Sequence, residues 1–160
     1  VLLAQTSGGI VQDPHNQSDD ATALGDTALE LIRSAARFTR MVARVPGIAY
    51  SSVAWRVLAD LSEQGPTRVS DLAAQQRVAQ PTITVLVQRL TAEGWLERQR
   101  DPEDGRATLV LITSGGETAL QNYRQSMAER IAPLLVEFSG KDREALERAT
   151  TIMLQLSEQV

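Results

Sequence analysis

Cysteine is missing from this 160-residue chain. Disulfides, thiol redox sensing and any Cys-based nucleophile or metal site are therefore excluded, and the composition fits a cytoplasmic protein. Histidine is nearly missing too. His15 stands alone in a polar N-terminal stretch, so no pair with metal-ligand spacing exists, and a Ser-His-Asp arrangement would need that tail to fold onto a site. The "SGGE" at 114–117 opens a helix but lacks the following Lys-Ser/Thr of a phosphate-cradling loop. No catalytic residue, metal site or cofactor is expected. No apolar run reaches the roughly 18 residues of a membrane span, so no membrane partner is expected. The start, "VLLAQTSGG", has no basic segment before its apolar residues, so no secretory signal is expected. Aromatics make up only 4% of the chain, so the core must be built mostly from Leu, Val, Ile and Ala. Lysine is reduced to Lys141 among 16 cationic residues; arginine supplies the rest.

What is present is unevenly placed. Net charge is -4, which alone argues weakly against a nucleic-acid partner. Yet residues 1–30 hold five acids and no Lys or Arg, whereas residues 66–113 hold six of each. Placement matters more than the sum, because phosphates are felt within a Debye length of roughly 8 Å.

Residues 1–22 are rich in Gly, Asn, Gln, Ser and Asp without periodicity and predict a flexible arm. From Leu24 the pattern turns helical. Leu24, Ala28, Leu31, Ala35, Phe38, Val42 and Val45 repeat by alternating fours and threes, and Pro46-Gly47 ends the run. Arg33, Arg37, Arg40 and Arg44 form a second stripe, read either as a solvated face or as a face toward a ligand, DNA or a partner's acids. A helix capped by Ser51 reaches about Gln64, with Trp55, Leu58 and Leu61 inward. Thr67-Arg68-Val69 is a strand stub, and Ser70 is read as capping a short helix. After a turn at 77–80, "PTITVLVQRLTAEG" forms a helix with Ile83, Leu86, Val87 and Leu90 on one buried face and Gly94 as its stop. Two strands, "WLERQR" and "RATLVLIT", flank an acidic loop. Thr113 caps a long helix to about Phe138, kinked at Pro133. A last helix repeats a heptad-like seam at Leu146, Ala149, Met153, Leu156 and Val160. Such long apolar seams are more than a lone chain of this size covers, so a partner chain is expected.

Two helices joined by a short turn make a helix-turn-helix, and a hairpin directly after it makes a wing. A helix is about 10–12 Å across and the major groove about 12 Å wide. Removing the buried positions of the second helix leaves Gln80, Pro81, Thr82, Thr84, Val85, Gln88 and Arg89 for that groove. Gln pairs with adenine and Arg with guanine; Val85 suits a thymine methyl, or else packs under the wing as core. In the wing, Asp104-Gly105-Arg106 closes the acidic loop. Arg106 suits a narrow minor groove with Asp104 bracing its fork; the alternative is an ordinary solvated hairpin with a weak surface ion pair.

The stretch "RVSDLAAQQRVAQPTITVLVQRLTAEGWLERQRDPEDGRATLVLITSGGETAL" resembles the MarR family of bacterial transcriptional regulators, on the combination of "PTIT…L…G", D-G-R at 104–106, "LIT" and Gly116. The resemblance implies a mainly α fold with a small β-hairpin wing. It is a winged helix-turn-helix lobe at 48–113, with N- and C-terminal dimerisation helices at 23–47 and 114–160. It implies a homodimer on double-stranded DNA with a pseudo-palindromic site, recognition helices in major grooves, and Arg106, supported by Asp104, in minor grooves. It also implies an effector pocket near Arg44, Tyr50 and Trp55. A cation beside two aromatics suits a small aromatic or phenolic effector, whereas Tyr50 and Trp55 as plain core is the other reading. The chain departs from the pattern at Val85, where many members carry a basic residue, so a different operator preference is expected. The expected function is that of a ligand-responsive repressor; the alternative is a winged-helix protein-interaction module without DNA binding.

Overall fold

The computed structural model describes residues 14–44, 50–102, 104 and 107–159. Its elements run α1 (Pro14–Val42), α2 (Ser52–Gln64), β1 (Thr67–Arg68), α3 (Val69–Gln76), α4 (Gln80–Ala92), β2 (Leu96–Arg100), β3 (Thr108–Ile112), α5 (Ser114–Leu135) and α6 (Gly140–Ser157). The chain divides into two units, one ending at Met41 and one from Val42 onward.

The first unit is α1. It starts at Pro14, so the expected flexible arm at 1–22 is corrected over 14–22, which is helical. Nothing breaks the helix there: Pro is tolerated at a first turn, and no other Pro or Gly lies between Pro14 and Gly25. Along α1, Leu24, Leu31, Ile32, Phe38 and Met41 are exposed, and Arg33 pairs with its own-helix neighbour Glu30 at 3.1 Å. Val45, Pro46 and Gly47 lie outside the described residues, as does Val160.

In the second unit, α2 to α5 enclose one core. Val57, Leu58 and Leu61 of α2 meet Leu72 of α3, Ile83, Val87 and Leu90 of α4, and Val110 of β3. Leu86, expected on the same buried face, is only half-buried and packs at its margin. Strand order is β1-β3-β2, all antiparallel. β3 is central: it pairs Thr67↔Val110 and Arg68↔Leu109 on one side and Leu96↔Ile112 through Arg100↔Thr108 on the other. Period-two alternation puts Val110 fully into the core.

Helix ends follow local chemistry. Gly65 (φ 80°) and Gly94 (φ 76°) stop α2 and α4 in the left-handed region that glycine reaches without a Cβ clash. Ser70 does not cap α3; that position belongs to Arg68, and the Ser70 hydroxyl donates to Asp71 at 3.1 Å. α5 is capped by Thr113, whose Oγ1 accepts from the Gly116 N–H at 3.1 Å. It ends at Leu135, short of the expected Phe138, with Pro133 inside its last turn. Ser139 caps α6 by accepting from the Asp142 N–H at 3.2 Å. No residue of α6 is buried, and Leu146, Ile152, Met153, Leu154 and Leu156 all lie in the open.

Candidate nucleic-acid interface

α4 has two chemically distinct faces. Ile83, Val87 and Leu90 are fully buried, which turns Gln80, Pro81, Thr82, Val85, Gln88 and Arg89 to the exterior. Thr84 is half-buried, and its hydroxyl donates to the Gln80 carbonyl at 2.9 Å. Val85 is 65% exposed, so it is not part of the core of this chain. α3 reaches α4 through a tight turn in which Arg77 takes a left-handed conformation (φ 53°). The N-cap of α4, Ala79, brings no side-chain acceptor to the positive end of the helix, which leaves that end suited to an external anion.

The wing is β2 and β3. Arg98 and Arg100 of β2 are exposed along it. The acidic loop is not uniformly a solvated tip. Asp101 is only 5% exposed and is the one buried charged side chain among the described residues. Its Oδ2 accepts from Arg68 Nε at 2.8 Å and lies 2.6 Å from Nη2, and its Oδ1 accepts from the Asp104 N–H at 3.3 Å. The Asp101 N–H donates to the Ala107 carbonyl at 3.1 Å, and the Ala107 N–H to the Asp104 carbonyl at 2.8 Å. Arg106, and with it the expected Asp104–Arg106 brace, lies outside the described residues.

An aromatic cluster is part of, and packs against, the same core. Trp55 stacks on Tyr123 at 4.2 Å between ring centroids, with Trp95 at 5.6 Å from Trp55 and Tyr50 at 4.8 Å from Trp95. Tyr50 meets Trp55 edge-on at 6.1 Å. Tyr50 and Trp55, expected together, are thus together. Arg44 is exposed, and its carbonyl accepts from Arg130; no contact of its side chain with these rings occurs among the described contacts. The cation seated on the cluster is Arg89, 4.4 Å above the Tyr50 ring. Burial, and then the Glu93 carboxylate, push the Tyr50 phenol's pKa up, so it stays a neutral donor near pH 7; Arg89 pulls the other way. The Trp55 indole N–H is buried and finds no acceptor among the described residues. Among those residues there is also no cluster of potential metal ligands, and no helix long and apolar enough to cross a membrane.

Sequence reasoning missed Arg68, Asp101, Trp95 and Tyr123. Arg68 and Asp101 are far apart in the chain, and Asp101 looks like one of several loop acids. The scarcity of aromatics was the only available signal: four of the chain's six Trp, Tyr and Phe residues meet in one cluster.

Known proteins share this architecture. The MarR family profile matches residues 51–108, which run from the start of α2 through β2 to the first residue of β3. YwoH, an uncharacterized HTH-type transcriptional regulator of Bacillus subtilis, is 33% identical over 106 residues, covering 66% of this chain and 76% of its own. IacR, an HTH-type transcriptional repressor of Pseudomonas putida, is 38% identical over 71 residues, or 44% of this chain and 41% of its own. The transcriptional regulator Tm0710 of Thermotoga maritima has the same fold, with a TM-score of 0.68 at 22% identity, over 84% of this chain and 96% of that one. A two-faced α4, a hairpin wing at its exit and a relative covered over three-quarters of its length lead to one assignment: the chain belongs to the MarR family, and is a DNA-binding transcriptional regulator rather than an enzyme.

Proposed function

We propose that the protein is a homodimeric, ligand-responsive repressor that binds a pseudo-palindromic operator. The lobe at 48–113 reads DNA, and the helices at 23–47 and 114–160 join two copies. Gln80, Pro81, Thr82, Thr84, Val85, Gln88 and Arg89 face the major groove, and Arg106, supported by Asp104, enters the minor groove. The observation that carries this reading is Val85. A β-branched apolar residue, open to solvent mid-helix beside Thr and Gln, is matched by the methyl group of thymine. The exposed apolar rows of α1 and of α6, each taken by itself, support a second copy, since monomers rarely leave patches beyond a few hundred Å² uncovered. The name of the P. putida relative supports repression. A small aromatic or phenolic acid is the favoured effector. Tyr50, Trp55 and Arg44 are its candidate contacts, and the unpaired Trp55 N–H offers a donor to its oxygen. Such a ligand acts only through unequal affinity for two arrangements of the dimer. A coupling of about 1–3 kcal/mol changes DNA affinity roughly 5–150-fold.

Selection of the operator from random duplex DNA tests the reading. Two related half-sites about one helical turn apart, or a little more, are expected. Absence of salt-sensitive binding at low ionic strength, or a monomer by light scattering, would end it. Val85→Ala is expected to lose preference at one thymine position of that operator while shifting stability by no more than about 0.5 kcal/mol, as surface changes do. A loss near 2 kcal/mol with unaltered base preference would return Val85 to a packing role.

A further inference from the structure

Arg68 belongs to two parts of the lobe at once. Its backbone is the N-cap of α3, the first helix of the helix-turn-helix, and its side chain holds Asp101 at the base of the wing tip. The strand that carries it is two residues long, so β1 contributes just the Thr67↔Val110 and Arg68↔Leu109 pairs to the joining of wing and α3. Asp101 in turn organises the loop that follows it, through Asp104 and Ala107. A buried carboxylate needs its charge partner, because removal from water disfavours it strongly when it is alone. Arg is suited to this work: two of its fork nitrogens converge on one oxygen, which restricts the carboxylate's position more than a single ammonium would.

We propose that Arg68 and Asp101 are positioning residues for DNA recognition, fixing the wing tip relative to the helix-turn-helix so that both meet adjacent grooves in one register. This rests on the DNA-reading wing proposed above. Neither side chain needs to touch DNA. The pair acts through where it holds Asp104 and Ala107.

A double-mutant cycle tests it on the full chain, with the selected operator and an unrelated duplex as probes. Asp101→Asn keeps the shape and removes the charge. It is expected to weaken operator binding on the order of tenfold, leave binding to the unrelated duplex unchanged, and shrink the penalty of Arg106→Ala in the same chain. Arg68→Lys keeps the charge and loses the fork. It is expected to bind the operator with intermediate affinity and to melt close to the wild type, which keeps the test alive should Asp101→Asn fold poorly. Independent penalties for Asp101→Asn and Arg106→Ala, or an Asp101→Asn protein that melts lower yet binds the operator normally, would overturn the positioning role alone. An Arg106→Ala protein that binds as the wild type would remove the DNA-reading wing, and the positioning role with it.

Discussion

Arg106→Ala is expected to weaken operator binding by about 5–150-fold, equivalent to the 1–3 kcal/mol of a well-placed arginine contact. The size follows from the groove. A·T-rich minor grooves are narrow and concentrate negative potential, and a guanidinium sheds its water more easily than an ammonium does. Arg106→Lys should therefore recover only part of the loss. Its loop neighbours on either side are held: Asp104 through its N–H on Asp101, and Ala107 through both its N–H and its carbonyl. Fluorescence anisotropy against the operator and a scrambled duplex measures this, with dimerisation and melting temperature expected to stay put. Equal affinity of the variant and the wild type for the operator rules the wing out of recognition.

Gly116→Ala is expected to destabilise the lobe by about 3 kcal/mol, at the upper end for overpacking. The cause is an added methyl against backbone that is already held. A Cβ at Gly116 would lie 2.2 Å from the Trp95 carbonyl oxygen and 2.7 Å from Ile112 Cγ1. The carbonyl cannot swing aside, because it already accepts the Thr113 N–H at 3.0 Å, while the Thr113 hydroxyl donates to the Gly94 carbonyl at 2.6 Å. These bonds seat the first turn of α5 on the turn that ends α4 and starts the wing. Pushing them apart loosens α5, the recognition helix and β2 together. For a chain of this length the melting temperature should fall by roughly 6–12 °C. Gly115→Ala meets the Gly94 carbonyl at 3.1 Å and should cost less; Gly140→Ala meets nothing within 4 Å and should be near neutral. Calorimetry of the three variants decides it. A Gly116→Ala protein that melts like the wild type would show that the two turns do not approach so closely.

Much of this molecule was legible in its residues because helices and strands write their burial as a period. The threes and fours of Ile83, Val87 and Leu90 marked one face of α4, and by subtraction its outer face, including Val85. Alternation in "TLVLI" marked β3, and Thr113 marked the start of α5 through its side-chain oxygen. Boundaries were less legible. α1 extends back to Pro14 because weak helix formers with no breaker among them can still prolong a helix that has already nucleated.

The sequence alone determined what depends on neighbours a few residues apart: the order of elements, the hydrophobic faces, the turn glycines, the exclusion of cysteine chemistry. The tertiary structure alone decided what depends on residues brought together from afar. Asp101 and Arg68 are 33 positions apart, and nothing local distinguishes the buried Asp101 from the exposed Asp104 in the same loop. Arg89 and Tyr50, and the rings of Trp55, Trp95 and Tyr123, meet only because α2, α4 and α5 close on one core. Periodicity records which way a side chain faces; which charge or ring it finds there is set when separate elements pack, and that leaves no regular spacing in the chain.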